Sequence, residues 1–265
     1  MSAGRRRAGA GEAPADRLQQ VVGVVFDTDG VIIDSARLHA AAWKTAFDAC
    51  LKANPPDDPP ARRPFDRDDY LRYVDGKSRM DGAASFLASR GIALPPGTLA
   101  EPPGTDTVGA VAACKEQIFT ERIRARKVDA YPGTLLLLRH LRARGVAMAA
   151  VSASRHAGEL LDRSGVLPYF AVLVDGVEGG RLGLPGKPAP DLFLAAAGRL
   201  GLPASRTAVI EDSLAGVEAG RRGGFHLVVG VDRSAGPDTR AALLDRGADV
   251  VVDDLSELLT DSTED

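Results

Sequence analysis

Six short apolar runs recur along this 265-residue chain, and helix-length segments separate most of them. The runs lie at positions 21–26, 146–151, 171–174, 207–210, 227–231 and 250–252. Short apolar runs of this kind are typical of buried strands, and their alternation with helices favours a parallel sheet covered by helices. The pattern therefore predicts an α/β fold.

The interval between the first two runs, about a hundred residues, is far longer than one crossover helix requires. Within it, apolar spacing predicts helices at 36–51, 79–90 and 108–126. Proline-rich stretches at 54–66 and 94–107 predict loops, because proline lacks the backbone N–H that a helix interior needs. The segment "YPGT" at 131–134 is predicted to form a turn before the next helix. The insert is therefore predicted to be a helical cap.

These patterns divide the chain into a core at 18–35 and 131–254 and a cap at 36–130. Residues 1–17 carry positive charge without the apolar segment of a secretory signal, so we predict a disordered tail there. Residues 255–265 are predicted to be an acidic tail.

Composition narrows the classes of function. A formal charge of −3 provides no overall attraction for nucleic acid or anionic lipid, and no run approaches the roughly 18 apolar residues of a membrane helix. The two cysteines, Cys50 and Cys114, form no CxxC pair and indicate neither a disulfide framework nor a zinc site. We expect a soluble, cytoplasmic, monomeric protein that acts on a small molecule.

Polar residues suited to phosphate chemistry follow four of the predicted strands. They are Asp27 and Asp29 after the first, "VSASRH" at 151–156 after the second, Lys187 in "GLPGKPAPD" after the third, and Glu211 and Asp212 after the fourth. Each has an ordinary explanation when taken alone: a turn, a helix N-cap or a solvated loop. Together, at the carboxyl ends of parallel strands, they predict one crevice that binds Mg²⁺ and a phosphoryl group.

These four segments resemble the ordered motifs of the haloacid dehalogenase superfamily of phosphotransferases. The matching residues are "DTDG", "SAS", "GKPAPD" and "EDSLAG". The resemblance implies a Rossmann-like, doubly wound parallel sheet with an inserted α-helical cap. Within the superfamily, "DSARLHAAAW" and "VDGKSRMDG" are similar to the β-phosphoglucomutase-like subfamily.

The resemblance implies a role for each motif residue. Asp27 would be the nucleophile and Asp29 the general acid and base. Mg²⁺ would be held by Asp27, the backbone carbonyl of Asp29, and Asp212, with Glu211 nearby. The phosphoryl group would be held by Ser152, the Ala153 N–H and Lys187.

Residues of the cap and of the second motif would bind the rest of the substrate. Arg79 matches the family's cap arginine for a second, non-reacting phosphate. Ser154, Arg155 and His156 stand where the family has serine, lysine and asparagine, so two positions depart from its pattern. Lys115 matches a cap lysine, although a solvated helix charge is an equal alternative. His39 matches a histidine that positions Asp29, and the alternative is a satisfied interdomain histidine.

The resemblance implies interconversion of β-glucose 1-phosphate and glucose 6-phosphate through an aspartyl phosphate and β-glucose 1,6-bisphosphate. A first alternative is a phosphatase of a small sugar phosphate or phosphoglycolate. A second is a catalytically silent binding module, against which the intact set of Asp27, Asp29, Lys187 and Asp212 argues.

Overall fold

The computed structural model describes residues 14–125, 128–233 and 237–259. Its centre is a six-stranded sheet in the order β3-β2-β1-β4-β5-β6, in which every neighbouring pair is parallel. The strands are β1 Gly23–Asp27, β2 Ala147–Val151, β3 Val172–Val174, β4 Thr207–Glu211, β5 Leu227–Val231 and β6 Val250–Val252. The α/β fold and the six predicted strands are confirmed.

Helices cover both faces of the sheet and form the inserted segment. They are α1 Pro14–Gln19, α2 Ala36–Ala53, α3 Arg67–Asp69, α4 Arg79–Ser89, α5 Val108–Ala125, α6 Pro132–Ala143, α7 Ala157–Arg163, α8 Gly176–Arg181, α9 Asp191–Arg199, α10 Leu214–Arg222 and α11 Pro237–Asp245. The three long helices expected in the insert are α2, α4 and α5.

Strand β1 is buried on both faces, as a central parallel strand should be. Val24 and Phe26 point into the apolar layer that contains Leu137, whereas Val25 points into the layer that contains Phe193. A strand that is buried on both faces has hydrophobic residues at consecutive positions rather than at alternate ones. Its only polar side chain, Asp27, lies where the strand ends, next to Val151 of β2.

The insert has an apolar cluster of its own. Trp43 stacks on Phe47 with ring centroids 4.6 Å apart, and Phe47 contacts Phe86 at 4.1 Å and Phe65 at 5.0 Å. Aromatic contacts of this kind bury large apolar areas and fix the crossing of the helices that carry them. The cap therefore presents its active-site residues from a packed support.

The structure corrects the predicted chain ends. Residues 14–17 of the predicted disordered tail belong to α1, where Ala15 and Leu18 are buried against the core. At the other end, residues 255–259 of the predicted acidic tail continue the fold, because Leu255 and Leu258 are buried in a 3₁₀ turn. Residues 1–13 and 260–265 lie outside the described residues.

Proline marks helix starts at two places where the sequence predicted a turn or a loop. Segment 131–134 is the start of α6, with Pro132 in its first turn, and the loop predicted at 54–66 contains a 3₁₀ turn at Pro59–Arg62. Proline suits a first turn because the N–H it lacks would have no partner there. Among the described residues, every helix is too short or too polar to cross a membrane.

Candidate active site

Strands β1 and β4 lie side by side and end at the point where the strand order reverses, which is where open α/β sheets bind ligands. Their ends bring Asp27, Glu211 and Asp212 together, with carboxylate oxygens within 4.8 Å of one another. The buried Lys187 ammonium contacts Asp27 Oδ1 and lies 2.8 Å from Glu211 Oε2. Residues far apart in the chain thus meet in one charged cluster, as the motifs predicted.

Burial and mutual repulsion dominate the electrostatics of this cluster. Burial, followed by the charge of Glu211, raises the pKa of Asp27 well above its usual value. Burial and the charges of Asp75 and Glu211 do the same for the pKa of Asp212. For Lys187, the carboxylates of Asp27 and Glu211 outweigh burial and raise its pKa, so it remains an ammonium. One lysine therefore leaves the cluster with excess negative charge.

The donor set fits a hard divalent cation such as Mg²⁺, which prefers carboxylate oxygens. Glu211 already accepts hydrogen bonds from Lys187 on one oxygen and from the Ser213 N–H, at 3.0 Å, on the other. Asp27 and Asp212 are therefore the better-placed protein ligands. Gly30 keeps this space open, because a Cβ there would lie 1.7 Å from Asp212 Oδ2.

The side chain of Asp29 contacts different residues from those that the side chain of Asp27 contacts. Its Oδ2 accepts a hydrogen bond from Ser152 Oγ at 3.0 Å, and its Oδ1 accepts from Ser35 Oγ and lies 3.2 Å from His39 Nε2. Burial alone would raise the pKa of Asp29, but His39 and the two hydroxyls outweigh it and hold that pKa well below its usual range. The two aspartates are thereby placed for separate tasks.

His39 connects Asp29 to the cap. Its Nδ1 lies 3.0 Å from Lys115 Nζ, and because an ammonium can only donate, Nδ1 must be the acceptor and Nε2–H the donor to Asp29. Burial and the Lys115 charge lower the pKa of His39, which agrees with this neutral tautomer. Lys115 is buried over the Phe119 ring, so the alternative of a solvated helix charge is wrong.

The second motif forms a turn on one wall of the crevice. Ala153, Ser154 and Arg155 line the crevice with Arg79 of the cap. Ser152 is fully buried, and its Oγ accepts the Ser154 N–H at 2.9 Å while it donates to Asp29. The second motif therefore forms a turn with Ser152 beneath its surface, and phosphate binding by this turn stays a prediction.

At the far end of the crevice, Arg79 meets a carboxylate that the sequence analysis did not consider. Arg79 Nη1 lies 3.0 Å from Glu116 Oε2, and His156 Nε2 lies 2.8 Å from Glu116 Oε1. His156 therefore contacts the cap through Glu116. The crevice between this end and Asp27 has a free volume of about 70 Å³.

The cap rests on the core on both sides of this crevice. A Cβ at Gly76, whose φ of +71° already favours glycine, would lie 2.2 Å from Ser213 Oγ. A Cβ at Gly186, beside Lys187, would lie 3.2 Å from Asp81 Oδ2. The cap is thus closed over the site, with two close approaches next to the charged cluster.

Sequence comparison agrees with the motifs. The family of haloacid dehalogenase-like hydrolases matches residues 21–224. A β-phosphoglucomutase of Mycobacterium bovis is 40% identical over 242 residues, which cover 91% of this chain and 92% of that protein. The chain belongs to the β-phosphoglucomutase-like group of the haloacid dehalogenase superfamily.

Two further relatives extend the comparison. A β-phosphoglucomutase of Bacillus subtilis is 31% identical, with 89% of this chain and 90% of that protein covered. A hydrolase of known structure from Pseudomonas syringae is 24% identical, has a TM-score of 0.68 and covers 89% of this chain and 95% of its own. The latter shows that this fold, shared with a solved hydrolase, extends over nearly the whole chain.

Some residues of this haloacid dehalogenase site were missed by sequence reasoning. Tyr70 and Asp75 of the cap line the crevice and are hydrogen-bonded to each other, and burial followed by the charge of Glu211 raises the pKa of Asp75 to about 7. Asp75 lies within the "VDGKSRMDG" segment and Glu116 directly follows Lys115. Their closeness in sequence to residues already assigned to the site is the signal by which the sequence could have indicated them. Trp43 also lines the crevice and belongs to the apolar cluster of the cap.

Divalent cation binding should stabilise the fold. Mg²⁺ at about 100 times its Kd should raise the free energy of unfolding by about 2.7 kcal/mol, because it binds the carboxylate cluster of the folded protein and not the unfolded chain. Thermal unfolding with Mg²⁺ and with EDTA measures this. Asp212→Asn should abolish the difference and Asp57→Asn, on the cap surface, should retain it. Equal melting temperatures in Mg²⁺ and EDTA would contradict the cation site.

Lys115→Met should stabilise the protein while impairing its chemistry. Burial lowers the pKa of Lys115 to about 8, so the folded protein binds this proton more weakly than the unfolded chain does, at a cost of about 3 kcal/mol at pH 7. The free energy of unfolding should rise with pH between about 8 and 10.5, because in this range the unfolded chain binds more protons at Lys115 than the folded protein does. The variant should lack this part of the pH dependence. Urea unfolding at pH 7 and pH 9.5 tests this, with the exposed Lys52→Met as control. A less stable variant at pH 7 would contradict it.

Proposed function

We propose that the protein is a β-phosphoglucomutase that interconverts β-D-glucose 1-phosphate and glucose 6-phosphate through β-glucose 1,6-bisphosphate. The observation that carries the proposal is the position of Arg79, which the cap holds in the same crevice as Asp27 and beside Arg155. Two phosphate-binding ends facing each other are what a bisphosphate intermediate requires. The identity to β-phosphoglucomutases over most of the chain supports the same substrate class.

Asp27 is the proposed nucleophile. Attack of its carboxylate oxygen on phosphorus forms an aspartyl phosphate and breaks the bond to the sugar oxygen. Lys187, which contacts Asp27, would balance charge on the phosphoryl oxygens, and the Ala153 N–H and Ser154 would bind them from the wall of the crevice. Mg²⁺, held by Asp27, Asp212 and the Asp29 carbonyl beside Glu211, would supply charge neutralisation for the transferring group.

Asp29 is the proposed general acid and base. Its low pKa keeps it ionised, so it can take the proton of the sugar hydroxyl that attacks the aspartyl phosphate. After the bisphosphate turns round, the same proton is returned to the oxygen that leaves phosphorus. The His39 N–H and the hydroxyls of Ser35 and Ser152 hold the carboxylate in place for this exchange.

The cap decides between transfer to a sugar and transfer to water. Arg79 and Arg155 would bind the non-reacting phosphate, while Lys115 and His39 would couple closure of the cap to the position of Asp29. Binding energy of the remote phosphate can then orient the acceptor hydroxyl. We also propose that the enzyme acts as a cytoplasmic monomer, without nucleic acid or membrane.

A phosphatase of a small sugar phosphate or phosphoglycolate is the second candidate. The hydrolases of the same superfamily favour it, because the family that matches residues 21–224 is described as hydrolases. Both candidates share the aspartyl phosphate and differ in whether a sugar or water accepts the phosphoryl group.

One assay separates the two candidates. Purified protein with Mg²⁺, β-glucose 1-phosphate and a trace of β-glucose 1,6-bisphosphate should form glucose 6-phosphate faster than inorganic phosphate. Asp27→Asn should abolish both products, because an amide is not the required nucleophile. Release of phosphate without glucose 6-phosphate would overturn the mutase proposal in favour of the phosphatase.

Arg79→Ala should impair mutase turnover by about 10²-fold or more, because misplacement of the substrate costs rate as well as affinity. Hydrolysis of acetyl phosphate, which has no second phosphate, should change less than threefold by the same reasoning. Arg79→Lys should retain only part of the mutase turnover, because lysine supplies the charge without the planar fork of arginine. Arg72→Ala, at an exposed cap position, is the matched control. An equal loss in both reactions would show that Arg79 supports the site in general.

A further inference from the structure

Glu116 places a negative charge among the residues proposed to bind a phosphate. It lies on α5 next to Lys115, and its side chain is 24% exposed. One carboxylate oxygen contacts Arg79 of α4 at 3.0 Å and the other contacts His156 of the core at 2.8 Å. Glu116 therefore links α4 and α5 of the cap to the core at the far end of the crevice, where Thr120 and Phe119 also contact His156.

This carboxylate is ionised in the folded protein. Burial would raise the pKa of Glu116, but the hydrogen bond from His156 and the charges of Arg79 and Lys115 outweigh it and lower that pKa to about 2. One of its oxygens accepts from Arg79, a donor that the bound phosphate would use, and a carboxylate and a phosphate have the same preference for a guanidinium. Glu116 and an incoming phosphate thus compete for Arg79.

We propose that Glu116 is a specificity-determining residue that occupies the remote phosphate subsite of the ligand-free enzyme. This inference rests on the proposed function of Arg79 as the ligand of the non-reacting phosphate. A tethered competitor has an effective concentration in the millimolar range or above, so it excludes weakly held anions. A substrate displaces it only by offering a phosphate with more charge and more acceptor oxygens, at the moment its other phosphate reaches Asp27.

The size of the crevice agrees with this exchange. Its free volume of about 70 Å³ holds only a handful of water molecules at roughly 10–15 Å³ each, which is less than a sugar bisphosphate needs. Release of Glu116 removes the ionic contact between Arg79 and His156 at this end, where Thr120 and Phe119 of α5 still lie against His156. Arg79 is then free to donate to the phosphate.

The test is the affinity for inorganic phosphate, measured by isothermal titration calorimetry in EDTA so that the result does not depend on the sugar or on turnover. Glu116→Gln keeps the shape of the side chain and removes its charge. If the subsite is open about one tenth of the time, the variant should bind phosphate about tenfold more tightly. Glu116→Ala should show the same increase in phosphate affinity. It replaces Glu116→Gln in this test if the glutamine variant folds poorly.

Two controls place the effect at the remote subsite. Glu121→Gln changes the charge of the same helix at an exposed position bonded to Gln117, and it should leave phosphate affinity unchanged. In an Arg79→Ala background, Glu116→Gln should give no gain, because the contested guanidinium is absent. A gain that persists there would place the extra phosphate at the catalytic end and overturn the proposal.

Weaker or unchanged phosphate binding by both folded Glu116 variants would also overturn it, because Glu116 would then serve to hold Arg79 and His156 in place. Failure of the mutase proposal has a different signature. In that case glucose 6-phosphate is not formed by the unaltered protein, whereas the change in phosphate affinity can still be measured.

Discussion

The close packing of carboxylates at the ends of β1 and β4 is the constraint on which the rest of the site depends. Asp27, Glu211 and Asp212 are brought within 4.8 Å by the pairing of two neighbouring parallel strands. Such a cluster is costly in a buried place unless positive charge compensates it. Lys187 supplies one charge from a loop some 160 residues after Asp27, and the remaining excess of negative charge suits the cluster to a divalent cation.

Separation of the two aspartates follows from the same constraint. Asp27 remains in the charged cluster, whereas Asp29 lies beside His39 and accepts hydrogen bonds from the hydroxyls of Ser35 and Ser152. Neighbouring positions in the chain therefore have pKa values shifted in opposite directions. Two carboxyl groups whose surroundings shift their pKa values apart can take different roles in one reaction.

The cap takes part in this electrostatic arrangement. Lys115 fixes the tautomer of His39, which in turn donates to Asp29. Its neighbour Glu116 contacts Arg79 and His156 at the opposite end of the crevice. Consecutive residues of one helix thus act on the two ends of the site, and movement of α5 would affect both.

The sequence by itself determined the strands, the long cap helices and the order of the motifs, because apolar periodicity and the residues at strand ends are local properties of the chain. It also placed Asp27, Lys187 and Asp212 at one edge, since the carboxyl ends of parallel strands must coincide. Only the tertiary structure decided the partners of Asp29, the burial of Lys115 and the position of Glu116, because each depends on how helices from distant parts of the chain cross. The same holds for the chain ends: a six-residue helix such as α1 is unstable alone, and it forms here because Ala15 and Leu18 are buried against the core.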